Sequence, residues 1–280
     1  MAAVMQVGGQ ARGASEAAQF IELEKQTSAR VGLAVIDSSS SRTISYRADQ
    51  RFLMCSTFKV LAAAAVLKAV DEGKDSLDRF VSYTEAQLLS YAPVTRAHVQ
   101  EGGMELKALC AAAVEQSDNT AANLLLETIG GPKGWTEFAR SLGDNVSRLD
   151  RLEPELNAPA ADEEMDTTAP AAMCQNLQRL FTSDVLSQES QKRLEQWMRN
   201  CTTGLQLIRA SLPPEWRAGD KTGRSGDGTT NDIAVARRPG RGPVFLAIYT
   251  VAPGQSPEAC NAVIAEATKI ALAAVANESR

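Results

Sequence analysis

The spacing of apolar positions divides the chain into three stretches of different texture. At the start, residues 15–25 read as a helix, and residues 31–37 (VGLAVID) as a short apolar strand. A Ser-rich turn at 38–41 and a second strand at 43–46 complete a hairpin. From residue 56 to about 182 the pattern becomes mainly helical. An Ala-rich helix over 56–72 is closed by Gly73, a residue suited to a left-handed stop. Further helices are expected over 105–116, over 120–128 with Gly130-Gly131 behind it, over 132–142 and, beyond, over 187–199. Residues 149–168 carry Pro154 and Pro159 and no periodicity. A loop of that length inside a compact unit is usually functional or disordered. After Pro214 strands return at 216–222, 232–237 and 244–251, and a helix over 257–276 closes the chain.

These elements predict an α+β fold of the α/β sandwich type. Two N-terminal and three C-terminal strands join in a five-stranded antiparallel sheet, flanked by the first and last helices. The helical block is then an insertion. Residues 14–50 with 208–280 form the sheet domain, residues 51–207 the helical domain, and function is expected at their seam.

Composition narrows the chemistry. With 29 basic and 34 acidic residues the net charge is −5, without any basic run, so nucleic acid and anionic membrane surfaces are poor partners. The longest apolar stretch, 60–67, is far shorter than the ~20 residues of a membrane span. There is one histidine, His98, read here as a structural or surface residue, so no His-clustered metal site is available. Neither a metal nor a cofactor is expected. The five cysteines, Cys55, Cys110, Cys174, Cys201 and Cys260, contain no CxxC pair. They are expected to be mostly free and buried. Residues 1–18 lack the charged start and apolar core of a signal peptide. If the protein is exported, this chain is a mature form behind a replaced leader. A small-molecule enzyme or binding protein remains.

Three short motifs suggest which. Ser56-Thr57-Phe58-Lys59 is the only SxxK of the chain. A three-residue step on a helix puts hydroxyl and amine on one face, one turn apart. The helix start adds unpaired N–H groups and the positive end of the dipole. Alone, the motif also fits a helix-capping Ser beside an unrelated Lys. Ser117-Asp118-Asn119, the only SDN, lies between two helices and would also serve as a helix start. Lys221-Thr222-Gly223, the only KTG, ends a strand. In this order the three form the set of penicillin-recognising serine enzymes.

With these motifs the chain resembles the class A serine β-lactamases, from about Leu23 to Ala276. Longer stretches match as well: SDNTAANLLLETIGGPKG, RLDRLEPELN, DTTAPAAM and GDKTG; the segment GTTNDIAV resembles the cefotaxime-hydrolysing branch. The resemblance implies a periplasmic or secreted monomer that hydrolyses β-lactam antibiotics and confers resistance. Ser56 would be the acylated nucleophile, with its own N–H and that of Arg224 as the oxyanion hole. Lys59, or Glu153 through a water, would take the Ser56 proton. Ser117, bonded to Lys221, would protonate the departing nitrogen. Glu153 and Asn157, in the 149–168 loop, would hold and activate the deacylating water. Tyr91 would line the mouth, Asn119 would meet the acyl-amide carbonyl, and Thr222, Gly223, Arg224 and Ser225 would line the substrate. Arg151 and Asp166 would close the loop, and the Glu153–Pro154 peptide would be cis. A penicillin-binding D,D-peptidase and a non-hydrolysing β-lactam sensor are the alternatives; Glu153 and Asn157 count against both.

The chain departs from the family in three places. Cys55 precedes the nucleophile, as in members with carbapenemase activity, but the position that would bridge it is Ser225. The disulfide partner of Cys110 is replaced by Ala63. The three places where the family keeps an Arg for the substrate carboxylate hold Leu207, Thr230 and Asn261. Arg224 stands nearby. Its side chain either binds that carboxylate or turns to solvent or to Asp227.

Overall fold

A computed structural model describes residues 16–276. The calls on residues 1–15 lie outside the described residues. Helix α1 covers residues 16–27. The hairpin follows as β1 (Arg30–Asp37) and β2 (Arg42–Tyr46), and then come β3 (Phe52–Leu53), α2 (Phe58–Asp71), β4 (Phe80–Ser82), α3 (Thr95–His98) and β5 (Gly103–Glu105). The helical block continues with α4 (Leu106–Glu115), α5 (Asn119–Thr128) and α6 (Gly131–Ser141). After the long loop come β6 (Thr167–Thr168), α7 (Pro170–Thr182) and α8 (Gln188–Arg199), then β7 (Arg217–Arg224), β8 (Thr229–Arg237), β9 (Val244–Val251) and α9 (Pro257–Ala276).

The main sheet has the order β2-β1-β9-β8-β7, antiparallel throughout. Strand alternation sends its residues to two cores. Val35, Ala234 and Leu246 pack with α9 on one face; Ile36, Ile233 and Phe245 pack with the helical block on the other. Both faces are buried, so the strands look almost wholly apolar, and the period-2 signal survives only in which core each residue enters. By length and composition α9 passes for a membrane span, yet its apolar side, including Val263, Ile264 and Ala267, is packed in the second core.

Several elements escaped the sequence pattern. The β3–β6 and β4–β5 pairs are only two or three residues long, too short for any period to register. Helix α7 starts on Pro170, which suits a first helical position, and had not been separated from its surroundings. Strand β7 runs past its predicted end and β8 begins before its predicted start, so Arg224 lies within β7. All five cysteines are buried and unbridged. His98 is exposed at the end of α3, 2.9 Å from Glu101.

Candidate active site

Ser56, the expected nucleophile, lies not in the predicted α-helix but in the 3₁₀ turn that precedes it, Cys55–Thr57. Cys55 adopts a left-handed backbone, φ 45°, which for a side chain with a Cβ costs ~1–3 kcal/mol and persists only where neighbours impose it. The neighbours are visible. Thr57 Oγ1 donates to Met54 O at 2.8 Å, and Asn231 Nδ2, reaching from β8, donates to Leu53 O at 2.8 Å. Strand β7 presses from the side. A Cβ at Gly223 would lie 2.7 Å from Met54 O and 3.2 Å from Ser56 N, so only glycine lets the strand come this close. Burial of the whole first part of α2, Phe58 to Leu67, anchors the turn from below.

Lys59 is fully buried, and the three oxygens nearest its ammonium are Ser117 O at 2.9 Å, Asn119 Oδ1 at 2.6 Å and Glu153 Oε1 at 3.0 Å, with Ser117 Oγ farther off at 3.4 Å. Burial pushes its pKa down, while Glu153 and Asp118 pull the other way. Those three acceptors match the three N–H donors of an ammonium. Ser117 has φ 59°. The buried carboxylate of Asp118 organises its surroundings: it caps α5 through Ala121 N (2.9 Å) and takes the N–H groups of Val94 and Thr95 (2.9 Å each). Asn119 N then reaches Tyr91 O at 3.0 Å, which places the half-exposed Tyr91 at the rim.

The loop between α6 and β6 delivers Glu153. Its Oε1 accepts from Ser56 Oγ at 3.3 Å, and its Oε2 from Asn157 Nδ2 at 2.5 Å. The Glu153–Pro154 peptide is cis. Asn123 on α5 grips the backbone at both ends of the residue, accepting from Glu153 N at 3.0 Å and donating to Glu153 O at 2.9 Å. Asp166, fully buried, closes the loop. It binds Arg151 Nε at 2.6 Å and accepts from Asp150 N at 2.8 Å and Arg151 N at 2.9 Å. Asn157 Oδ1 is buried and has no hydrogen-bond partner among the described residues.

Strand β7 is the edge of the sheet and the opposite wall. Its alternation sends Lys221 toward Ser117 Oγ, 3.0 Å away, and Thr222 to the α9 face, where its hydroxyl meets Thr203 Oγ1 at 2.6 Å. Lys221 is fully buried, and burial brings its pKa down to about 8, with repulsion from Lys59 adding to the effect. Ser225 N donates to Thr229 O across to β8, so the N–H of Arg224, one residue back, points to the free edge. The Arg224 side chain lies on the α9 face. Its guanidinium bonds Thr230 Oγ1 at 3.3 Å and Asn261 Oδ1. The pairing with Asp227 is therefore not formed; Asp227 takes the hydroxyl of Ser225 instead. Among the described residues no carboxylate lies within ion-pair distance of Arg224, and Glu258 is the acid close enough to feel its charge.

The fold thus gathers Ser56, Lys59, Ser117, Asn119, Glu153, Asn157 and Lys221 into one cleft, with Tyr91 and Thr222 at its margins. Sequence reading missed Asn123, Thr203 and Asn231. The first had a signal: it stands one helical turn after Asn119, on the same face of α5. The other two reach the site only through tertiary packing. No group of three or more His, Cys, Asp or Glu suited to a metal occurs among the described residues.

Comparison with known proteins agrees with this geometry. The model of the β-lactamase enzyme family matches residues 15–275. β-Lactamase AST-1 of Nocardia asteroides is 44% identical over 92% of this chain and 83% of its own. β-Lactamase CTX-M-8 of Citrobacter amalonaticus is 46% identical, over 89% and 85%. Among structures, an ancestral class A β-lactamase superimposes with a TM-score of 0.89 at 50% identity, covering 92% of this chain and 99% of that one. A β-lactamase from Burkholderia vietnamiensis does so with 0.91 at 47%, covering 94% and 97%. The CTX-M-8 and Nocardia enzymes are similar to this chain to nearly the same degree. This chain belongs to the β-lactamase enzyme family, in its class A.

Proposed function

We propose that this chain opens β-lactam rings through an ester on Ser56 and releases the product with a water activated by Glu153. One observation carries the reading: a single carboxylate has one oxygen on the nucleophile and the other on Asn157. The substrate carbonyl would lie between the N–H groups of Ser56 and Arg224, where the loss of one donor typically costs ~10²–10³ in rate. The Ser56 hydroxyl already points at Glu153. Burial weakens the hold of Lys59 on its proton, but the group that the Ser56 hydroxyl meets is the Glu153 carboxylate. Glu153 is therefore the base of acylation, and Lys59 holds it in place. Ser117 Oγ accepts from Lys221, which leaves its own hydrogen free for the departing ring nitrogen. Between the halves the proton on Glu153 passes through Lys59 to Ser117 Oγ, 3.4 Å from Lys59 Nζ. In the second half Asn157 Oδ1 takes one hydrogen of the incoming water, and Glu153 removes the other and hands it to the departing Ser56 Oγ. This second half separates a hydrolase from an enzyme that is merely acylated.

The remaining assignments belong to the same reading. Asn119 keeps its amide N–H groups for the acyl-amide carbonyl. Tyr91, Gly223 and Ser225 line the substrate, and Thr222 meets its carboxylate. Arg224, which no acid neutralises, is the cation that assists Thr222. The cleft lies between a helical part, 51–207, and a sheet part, 14–50 with 208–280. β-Lactam antibiotics and inhibitors are its ligands; the protein acts as a periplasmic or secreted monomer without nucleic-acid partners. Intact-protein mass spectrometry with a slow β-lactam tests the core of the proposal: Ser56→Ala should gain no adduct mass while remaining folded. An adduct on that variant removes Ser56 from its role.

A further inference from the structure

We infer that Asp220 and Asp232 share one proton in the folded protein, and that this protonated pair, with Arg209, holds strand β7 in place for Lys221 and Thr222. Neither residue faces the cleft. Asp220 stands opposite Ala234 and Asp232 opposite Thr222, so the two carboxylates are diagonal neighbours on the α9 face of β7 and β8. Both have 0% exposure. Arg209, from the short turn Ile208–Ser211, touches Asp220 Oδ1 with its Nε and donates through Nη2 to Met198 O at 2.7 Å. Its Nε is in ion-pair contact with Asp220 but out of hydrogen-bond alignment. Asp232 Oδ2 accepts from Ile208 N at 3.0 Å. Asp220 Oδ2 and Asp232 Oδ1, both buried, have no hydrogen-bond partner among the described residues. Gly204 closes over the first: a Cβ there would lie 1.6 Å from Asp220 Oδ2.

Two buried carboxylates against one guanidinium leave a negative charge without a compensating cation, which a protein interior does not tolerate. A proton on one carboxyl removes the charge and supplies the donor that the orphaned oxygens lack. The other groups facing the pair do not offer a second cation at this spot. Lys221 is adjacent but sends its ammonium to the opposite face, Cys201 brings a thiol, and α9 turns inward Cys260 and uncharged residues. Burial first, and in Asp232 the charge of Asp220 next, raise both carboxyls above the usual aspartate range; Arg209 and Lys221 oppose this without prevailing. The pair is a positioning device. A second negative charge in it would push β7 and β8 apart where Thr222 faces Asp232, and would raise the affinity of Lys221 for its proton.

The sign of the pH effect follows. Above the ordinary aspartate range the folded protein holds a proton that the unfolded chain has lost, so stability falls as pH rises toward the folded value. Infrared difference spectra of the wild type at neutral pH should show a protonated, buried carboxyl band that Asp232→Asn removes; absence of the band, or its survival in the variant, overturns the inference. In thermal unfolding between pH 5 and 8, Asp232→Asn should gain on the wild type by up to about tenfold in folding equilibrium per pH unit. Parallel curves for the two proteins also overturn it. Both readouts need no substrate, so they stand apart from the proposed chemistry. The link to the cleft does rest on that chemistry: Asp232→Ala should raise KM for nitrocefin at least fivefold while Ser56 still acquires the acyl adduct, and an unchanged KM overturns the positioning role.

Discussion

Helix α2, through the turn that leads into it, and the 149–168 loop bring Ser56 and Glu153 to within 3.3 Å of each other by opposite means. The helix is held by apolar burial, with every residue from Phe58 to Leu67 inside the core. The loop has little apolar surface to bury. Leu149 at its start and Leu156 within its first half are buried, while Leu152 is exposed and Asp162 to Glu164 lie on the surface. What aims Glu153 is a small set of directed bonds: Asn123 on its backbone, Asn157 on its carboxylate, and Asp166 across the neck. Packing spreads its energy over many weak contacts and tolerates the loss of one. A directed bond fails as a unit, and the buried partner it leaves behind adds to the loss. The nucleophile is therefore robust and the base is fragile. Acylation and deacylation should respond to different mutations.

The largest effect should come from the carboxylate itself. In Glu153→Ala, turnover of a good substrate should fall by ~10²–10⁴, with the loss greatest in deacylation, so that acyl-enzyme accumulates in the mass spectrum. Near-normal turnover without an adduct would contradict the difference between the two regions.

Next come two variants chosen to destabilise comparably. Asp166→Ala removes a fully buried anion and strands the N–H groups of Asp150 and Arg151, at a cost of about 3 kcal/mol. Leu61→Ala opens a cavity in the core under the nucleophile, at about 2–5 kcal/mol. At a temperature where both remain folded, Asp166→Ala should slow deacylation at least tenfold more than acylation. Leu61→Ala should leave the ratio of the two steps near that of the wild type. Single-turnover kinetics checks the pair; equal effects on both steps in both variants would mean that loop and helix are held alike.

The smallest effect concerns a residue in neither region. Arg224→Ala should raise KM for substrates with a free carboxylate several-fold and leave their methyl esters unaffected, and the wild-type advantage should shrink with added salt. An unchanged KM for the free acids would leave the carboxylate to Lys221 and Thr222 alone.

Much of this was open to a reading of residues in order, for a local reason. An Ala-rich run ending in glycine, a Ser-rich turn between apolar runs and three motifs at strand and helix ends are short-range signals, and each element forms where its signal stands. The same locality explains the failures. A two-residue strand such as β3 has no period to detect, and the 3₁₀ turn under Ser56 is imposed by Asn231 and Gly223, which lie some 170 residues further along. The Arg224 side chain could not be settled because its partners Thr230 and Asn261 come from another strand and from α9. The sequence by itself determined the class of fold and the family, and it named the groups proposed to react. Only the tertiary structure decided that Glu153 meets Ser56 directly, that Asn123 holds its backbone, and that Asp220 and Asp232 end up buried against one arginine. Directed bonds between distant segments are fixed by the packing that brings those segments together, and spacing along the chain carries no record of it.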